Sequence, residues 1–168
     1  MDTTVHEEDA MNFPIEFLNA IDLLGIPPHE LRLKVGIPIM LIRNLKSPKL
    51  CNGTRLIVKG LLPNLIEARI ISGSDSIHES ILIPRIPLIP SSLPFEFKRL
   101  QFPIIPCFAI TINKAQGQSF KKVGVHLGEE CFSHGQLYVA CSRAINLQQL
   151  HVYTPKKLTQ NVVYSEVL

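Results

Sequence analysis

The pattern of apolar residues changes near residue 100, and that change limits what the chain can fold into. From Leu31 to about Arg99 the apolar residues fall in short runs cut by turn signals. Ile37–Ile42 reads as a strand, Cys51-Asn-Gly-Thr54 carries an Asn-Gly turn, and Thr54–Leu61 and Asn64–Ile71 follow as β-rich segments. Ser72–Ser76 is a polar turn and His78–Ile83 a further strand. Pro84, Pro87, Pro90 and Pro94 then space out an extended segment that cannot lie centrally in a sheet, because proline has no N–H for the ladder. Strands this short, with turns this frequent, predict a small antiparallel barrel over 28–100.

Past residue 100 the spacing differs. Ile104–Ile110, Val123–Leu127 and Leu150–Tyr153 read as strands, with a loop and short helix over 111–118 and a helix over 133–145 between them. Strands alternating with helical segments predict a parallel α/β layer over 101–168. Three strands are too few for a doubly wound sheet, so the expectation is the trailing part of a larger domain. Before the barrel, residues 1–27 form an acidic, frayed lead-in and a short helix. In that helix Phe17, Leu18, Ile21 and Leu24 are helically spaced, Gly25 ends it and Pro27-Pro28 prevents its resuming.

Charge is unevenly spread. Residues 1–30 carry seven acidic side chains and no lysine or arginine; 31–97 carry nine basic against four acidic, and 98–157 eight against two. That balance admits an anionic partner after residue 30, or an ordinary mildly basic surface. No apolar run reaches the roughly 18–20 residues of a membrane span, and no membrane partner is expected. Met1–Ala10 resembles neither a signal nor a transit peptide. Cys51, Cys107, Cys131 and Cys141 form no CxxC, which favours free thiols in a reducing compartment, nuclear or otherwise intracellular. Cys131, His134, Cys141 and His151 match no usual zinc spacing.

Two polar segments stand out from the apolar ones. Thr111-Ile-Asn-Lys-Ala-Gln-Gly-Gln-Ser119 places a lysine and three amide side chains around Gly117. The glycine permits a turn that bares backbone amides to an anion, and Lys114 suits a phosphate. A plain polar connection would look the same. Further on, Ser133-His-Gly-Gln136 fits a capping box, and Leu137, Ala140, Cys141 and Ala144 make an apolar stripe. Gln136 and Arg143, seven apart, would share the other face. A guanidinium there can fork onto phosphate oxygens, or simply close a helix whose dipole favours a cation.

Taken together, "FAITINKAQGQSF" and "FSHGQLYVACSRA" resemble motifs V and VI of superfamily-one helicases of the petite-integration-frequency (Pif) type. "LKVGIPIMLIRNL", "LCNGTRLIV" and "ILIPRIPLIP" resemble that family's accessory 2B barrel, with a Helitron-like flavour, so the likeness runs over residues 13–153. It implies a Src-homology-three-like barrel inserted in a partial RecA-like α/β domain. It implies a 5′-to-3′ DNA helicase driven by ATP and Mg2+, with single-stranded DNA as partner. In that frame Arg143 is the arginine finger, Gln116, Gly117 and Gln136 belong to the nucleotide side, and Thr111, Asn113 and Lys114 contact the strand. Many members have histidine where Asn113 stands; asparagine keeps a hydrogen bond and loses ring stacking. Cys141 stands where leucine is usual.

No GxxxxGK[ST] occurs in the 168 residues, and no paired Asp-Glu follows an apolar strand. The expectation is therefore a carboxy-terminal portion of such a helicase, without its first RecA-like domain, inactive on its own, and prone to self-association through exposed core. The rivals are a non-catalytic nucleic-acid binder and a protein-interaction module built on the barrel.

Overall fold

A computed structural model describes residues 2–4, 13–23, 25–71, 80–90 and 93–167. The chain divides into two compact units, Met1–Phe108 and Ala109–Leu168.

The first unit is built on a five-stranded antiparallel sheet. Its strands are β2 (Pro38–Leu41), β3 (Arg55–Leu61), β4 (Leu65–Ile70), β5 (Ser80–Pro84) and β8 (Ile104–Pro106), in the order β5-β4-β3-β2-β8. This is the barrel expected from the sequence. Strict alternation makes it: in β4 Ile66, Ala68 and Ile70 are buried while Leu65, Glu67 and Arg69 between them are only partly covered. β3 does the same with Leu56 and Val58. These side chains meet Ile39, Leu41, Ile83, Phe102 and Ile104 in one core. Each fully buried aliphatic side chain of this kind contributes about 1.5–3 kcal/mol. Between β2 and β3 the Asn-Gly turn forms, with Gly53 at φ 88° and the Thr54 N–H donating to the Cys51 carbonyl at 3.0 Å.

A second, three-stranded antiparallel sheet has β7 (Phe97–Gln101) between β1 (Asp2–Thr4) and β6 (Ile86–Leu88). Pro87 thus lies on an edge strand and Pro84 at the end of another, as missing ladder donors require. The predicted strand at 78–83 starts, among the described residues, at Ser80; the polar turn at 72–76 lies outside them.

Two expectations are corrected here. Residues 2–4 do not fray: β1 pairs along β7, with Asp2 opposite Arg99. Asp2 is 1% exposed and so is Arg99. The guanidinium donates to Asp2 Oδ2 at 2.8–2.9 Å, to the Leu18 carbonyl at 2.9 Å, and to those of Ile21 and Pro27 at 3.1 Å. It therefore helps close the end of α1 (Ile15–Ala20), where the Leu18 carbonyl also accepts from the Ile21 N–H at 3.3 Å. The predicted helix runs shorter for that reason: Ile21 is already extended, and Leu24 lies outside the described residues. Second, the strand expected at 104–110 to open the α/β layer is β8, which ends at Pro106 and pairs antiparallel with β2. The first unit accordingly continues to Phe108.

The second unit is a small α/β layer. β9 (Val123–His126) and β10 (Leu150–Tyr153) are parallel, and α2 (Gln136–Cys141) lies between them in sequence. Val125, Leu127, Cys131 and Ala140 are its buried core, with Ile112, Val123, Leu137 and Leu150 packed against it. Among the described residues no helix is long and apolar enough to cross a membrane.

Candidate nucleotide and nucleic-acid site

Ala115 anchors the first polar segment. It is buried, with Ile112 packed against the second unit's core, while Thr111, Asn113, Lys114, Gln116 and Gly117 are all exposed. Asn113–Ala115 forms one 3-10 turn. The Thr111 hydroxyl accepts from the Lys114 N–H at 3.4 Å, and the Ala115 N–H donates to the Thr111 carbonyl at 3.1 Å. Gly117 sits at φ 77°, where a side chain is strained, and turns the chain back so that the Gln118 amide reaches the Lys114 carbonyl at 3.0 Å. The loop thus presents a lysine ammonium and two amide side chains to solvent on a fixed backbone.

The second segment is shorter than its apolar stripe predicts. Gly135, at φ 67°, stands at the start of α2, so helical geometry begins only at Gln136. At the other end the Arg143 carbonyl and the Ile145 N–H are committed elsewhere. Phe120 bridges to Ala144, its N–H donates to the Arg143 carbonyl at 2.9 Å, and its carbonyl accepts from the Ile145 N–H at 3.2 Å. Half of the capping box forms. Gln136 Oε1 accepts from the Phe132 N–H at 3.1 Å and the Ser133 N–H at 3.4 Å, but no side chain caps the helix.

Arg143 draws the two segments together. Its Nη1 donates to the Gln118 carbonyl at 3.0 Å, its Nε to the Val139 carbonyl at 2.9 Å, and its Nη2 to Ser142 Oγ at 2.8 Å. Gln136 is turned the other way, onto residues 132–133, so no hydrogen bond links it to Arg143. Gln118 and Ser142 are the positions the sequence did not single out; only the fold shows that they touch the guanidinium. Among the described residues no three His, Cys, Asp or Glu side chains converge as a metal site. Instead His134 Nδ1 accepts from the Tyr164 N–H at 3.0 Å. Burial pushes the Cys141 thiol above the usual range, with Cys131 nearby adding to the rise.

Comparison with known proteins fits this geometry. The family described as "DNA helicase Pif1, 2B domain" matches residues 16–61. The ATP-dependent DNA helicase PIF1 of Mus musculus is 35% identical over 152 residues, which are 88% of this chain and 23% of that protein. The Campylobacter jejuni ATP-dependent DNA helicase Pif1 is 43% identical over 68 residues, 40% of this chain and 15% of the relative. Among solved structures, Pif1 helicase from Bacteroides in complex with ADP-AlF3 and ssDNA is 27% identical, with a TM-score of 0.61 over 96% of this chain and 36% of its own. The Candida albicans Pif1 helicase shares the fold at a TM-score of 0.68 and 24% identity, over 99% of this chain and 41% of its own. The chain thus spans about a quarter of the length of the mouse protein, and over that span its sequence and fold match a part of a Pif1-like helicase.

Proposed function

We propose that this chain supplies the arginine finger and the single-strand contacts of an ATP-dependent 5′-to-3′ DNA helicase. The observation that carries the reading is the hydrogen bond from Arg143 Nη1 to the Gln118 carbonyl, because it joins the nucleotide-facing residue to the strand-facing loop. Three of the five guanidinium N–H groups are engaged among the described residues. The remaining two fit a pair of phosphate oxygens. ATP, when bound with Mg2+, supplies the phosphoryl group whose transfer drives such an enzyme. Arg143 would steady the charge that develops on it, an effect of about 10³–10⁵ in rate for fingers of this type. Gln116 and Gly117 lie on the same turn as Gln118, and Gln136 holds the loop that leads into α2. Thr111, Asn113 and Lys114 offer a hydroxyl, an amide and an ammonium to the strand. The organism's DNA-containing compartment is where such a protein works.

The sequence given has no phosphate-binding loop, so this chain alone is expected not to hydrolyse ATP. Joined to the phosphate-binding domain of a Pif1-type relative, it should restore DNA-stimulated hydrolysis, and Arg143→Ala should lower kcat by about 10³ or more. Turnover that survives Arg143→Ala sinks the finger. For the strand contact, anisotropy of a labelled oligothymidylate should show weak binding that falls with salt. Lys114→Ala should flatten the logarithmic salt slope by about 0.7. An unchanged slope would remove Lys114 from the interface.

A further inference from the structure

Arg143 is held in place before any ligand arrives. In a continuing helix the Val139 carbonyl would accept the backbone N–H of residue 143. Here that N–H goes to the Ala140 carbonyl at 3.4 Å, and side chains take over the Val139 carbonyl: Arg143 Nε at 2.9 Å and the Ser142 hydroxyl at 3.1 Å. Because Ser142 Oγ spends its proton on Val139, its lone pairs face the guanidinium, and Arg143 Nη2 donates to it at 2.8 Å. Nη1 is fixed from the other side by the Gln118 carbonyl. Each of the three guanidinium nitrogens thus has one partner, and one N–H on each terminal nitrogen is left over among the described residues.

We infer that Ser142 is a positioning residue for Arg143: its hydroxyl, seated on the Val139 carbonyl, sets the guanidinium plane so that the two leftover N–H groups form a ready fork for phosphate oxygens. The inference rests on the finger reading above. A guanidinium held by three fixed acceptors loses little freedom when it meets a phosphate, whereas a swinging one must be ordered at each turnover. Ser142 touches no ligand in this scheme. Its effect is on the height of the chemical barrier rather than on nucleotide binding.

The test has two arms. In the 168-residue chain labelled with 15N, the Arg143 side-chain N–H signals should show hindered rotation and slow exchange. Ser142→Ala should lose both, and Ser142→Thr should keep them, since threonine retains the hydroxyl. In the joined enzyme, Ser142→Ala should lower kcat about tenfold at unchanged KM for ATP, with Ser142→Thr restoring it. Unaltered Arg143 signals in Ser142→Ala overturn the inference. So does an unchanged kcat in Ser142→Ala when Arg143→Ala abolishes turnover. Failure of the finger reading shows itself separately, as turnover that survives Arg143→Ala.

Discussion

At the scale of single residues, Arg99 ties Asp2 of β1 to the end of α1 and to Pro27, and nothing in its sequence neighbourhood announces it. In the sequence it merely marks where the β-patterned stretch ends, yet it helps close a helix end and neutralises a carboxylate 97 positions away. Hydrophobic period reports which face a residue occupies, not which distant group it meets. Removing one partner of a buried ion pair leaves the other charged and desolvated, at about 3–5 kcal/mol. Arg99→Met should therefore cost the first unit about that much, since Asp2 keeps His29 Nδ1 at 3.1 Å but loses its guanidinium counter-charge, and three carbonyls each lose a guanidinium donor. Urea unfolding followed by far-UV circular dichroism checks it, there being no tryptophan to follow; a loss below about 1 kcal/mol would mean the network does not hold the unit together. A second residue-scale outcome concerns Cys141. Its raised pKa keeps it a thiol to higher pH than an ordinary cysteine. Because the thiolate is the nucleophile, alkylation by iodoacetamide near pH 8.5 should be several-fold slower than for a free cysteine peptide. Equal rates would show that burial does not protect it.

Among elements, legibility followed periodicity. β3 and β4 fall in the β-rich segments read at 54–61 and 64–71, and Glu67 and Arg69 mark the outer side of β4, but in the unbroken Leu56-Ile57-Val58 run only the fold shows that Leu56 and Val58 are the buried pair. β8 did not yield to the same reasoning. A short apolar run fits a parallel or an antiparallel neighbour equally well, and only its pairing with β2 shows which sheet owns it. α2 was overestimated because its stripe continues where its backbone does not: Phe120 claims Ala144 and Ile145 for a β-like bridge. Of the candidate site, the residue types were legible, but the bond from Arg143 to a backbone carbonyl was not, since carbonyls carry no sequence signature. The alternation also makes a quantitative claim. Ile66 lies opposite Ile83 in the ladder and is fully enclosed, whereas Leu82 on the other face is 57% exposed. Ile66→Ala should cost about 2–5 kcal/mol and Leu82→Ala no more than about 0.5. Similar losses for the two would contradict the assigned register.

For the molecule as a whole, the second unit presents several large apolar side chains to solvent. Phe132, Tyr138, Ile145, Leu147 and Leu158 are all at least 70% exposed. Among its described residues the sheet has only two strands, so backbone on both outer sides of the β9–β10 pair is open to further pairing. Exposed apolar side chains and open edges act in the same direction: both are relieved by covering, whether by another domain or by a second copy. In isolation, only the second copy is at hand. The 168-residue chain should therefore associate with itself, its sedimentation coefficient rising with concentration across the micromolar range. Replacing Phe132 and Leu147 by aspartate should shift it toward monomer without unfolding, because neither side chain is in the second unit's core. The basic residues should not drive this association, so salt should strengthen it while weakening DNA binding. A wild-type chain that sediments as a clean monomer at every concentration would mean that this surface tolerates water, and the argument from exposed apolar side chains would fail.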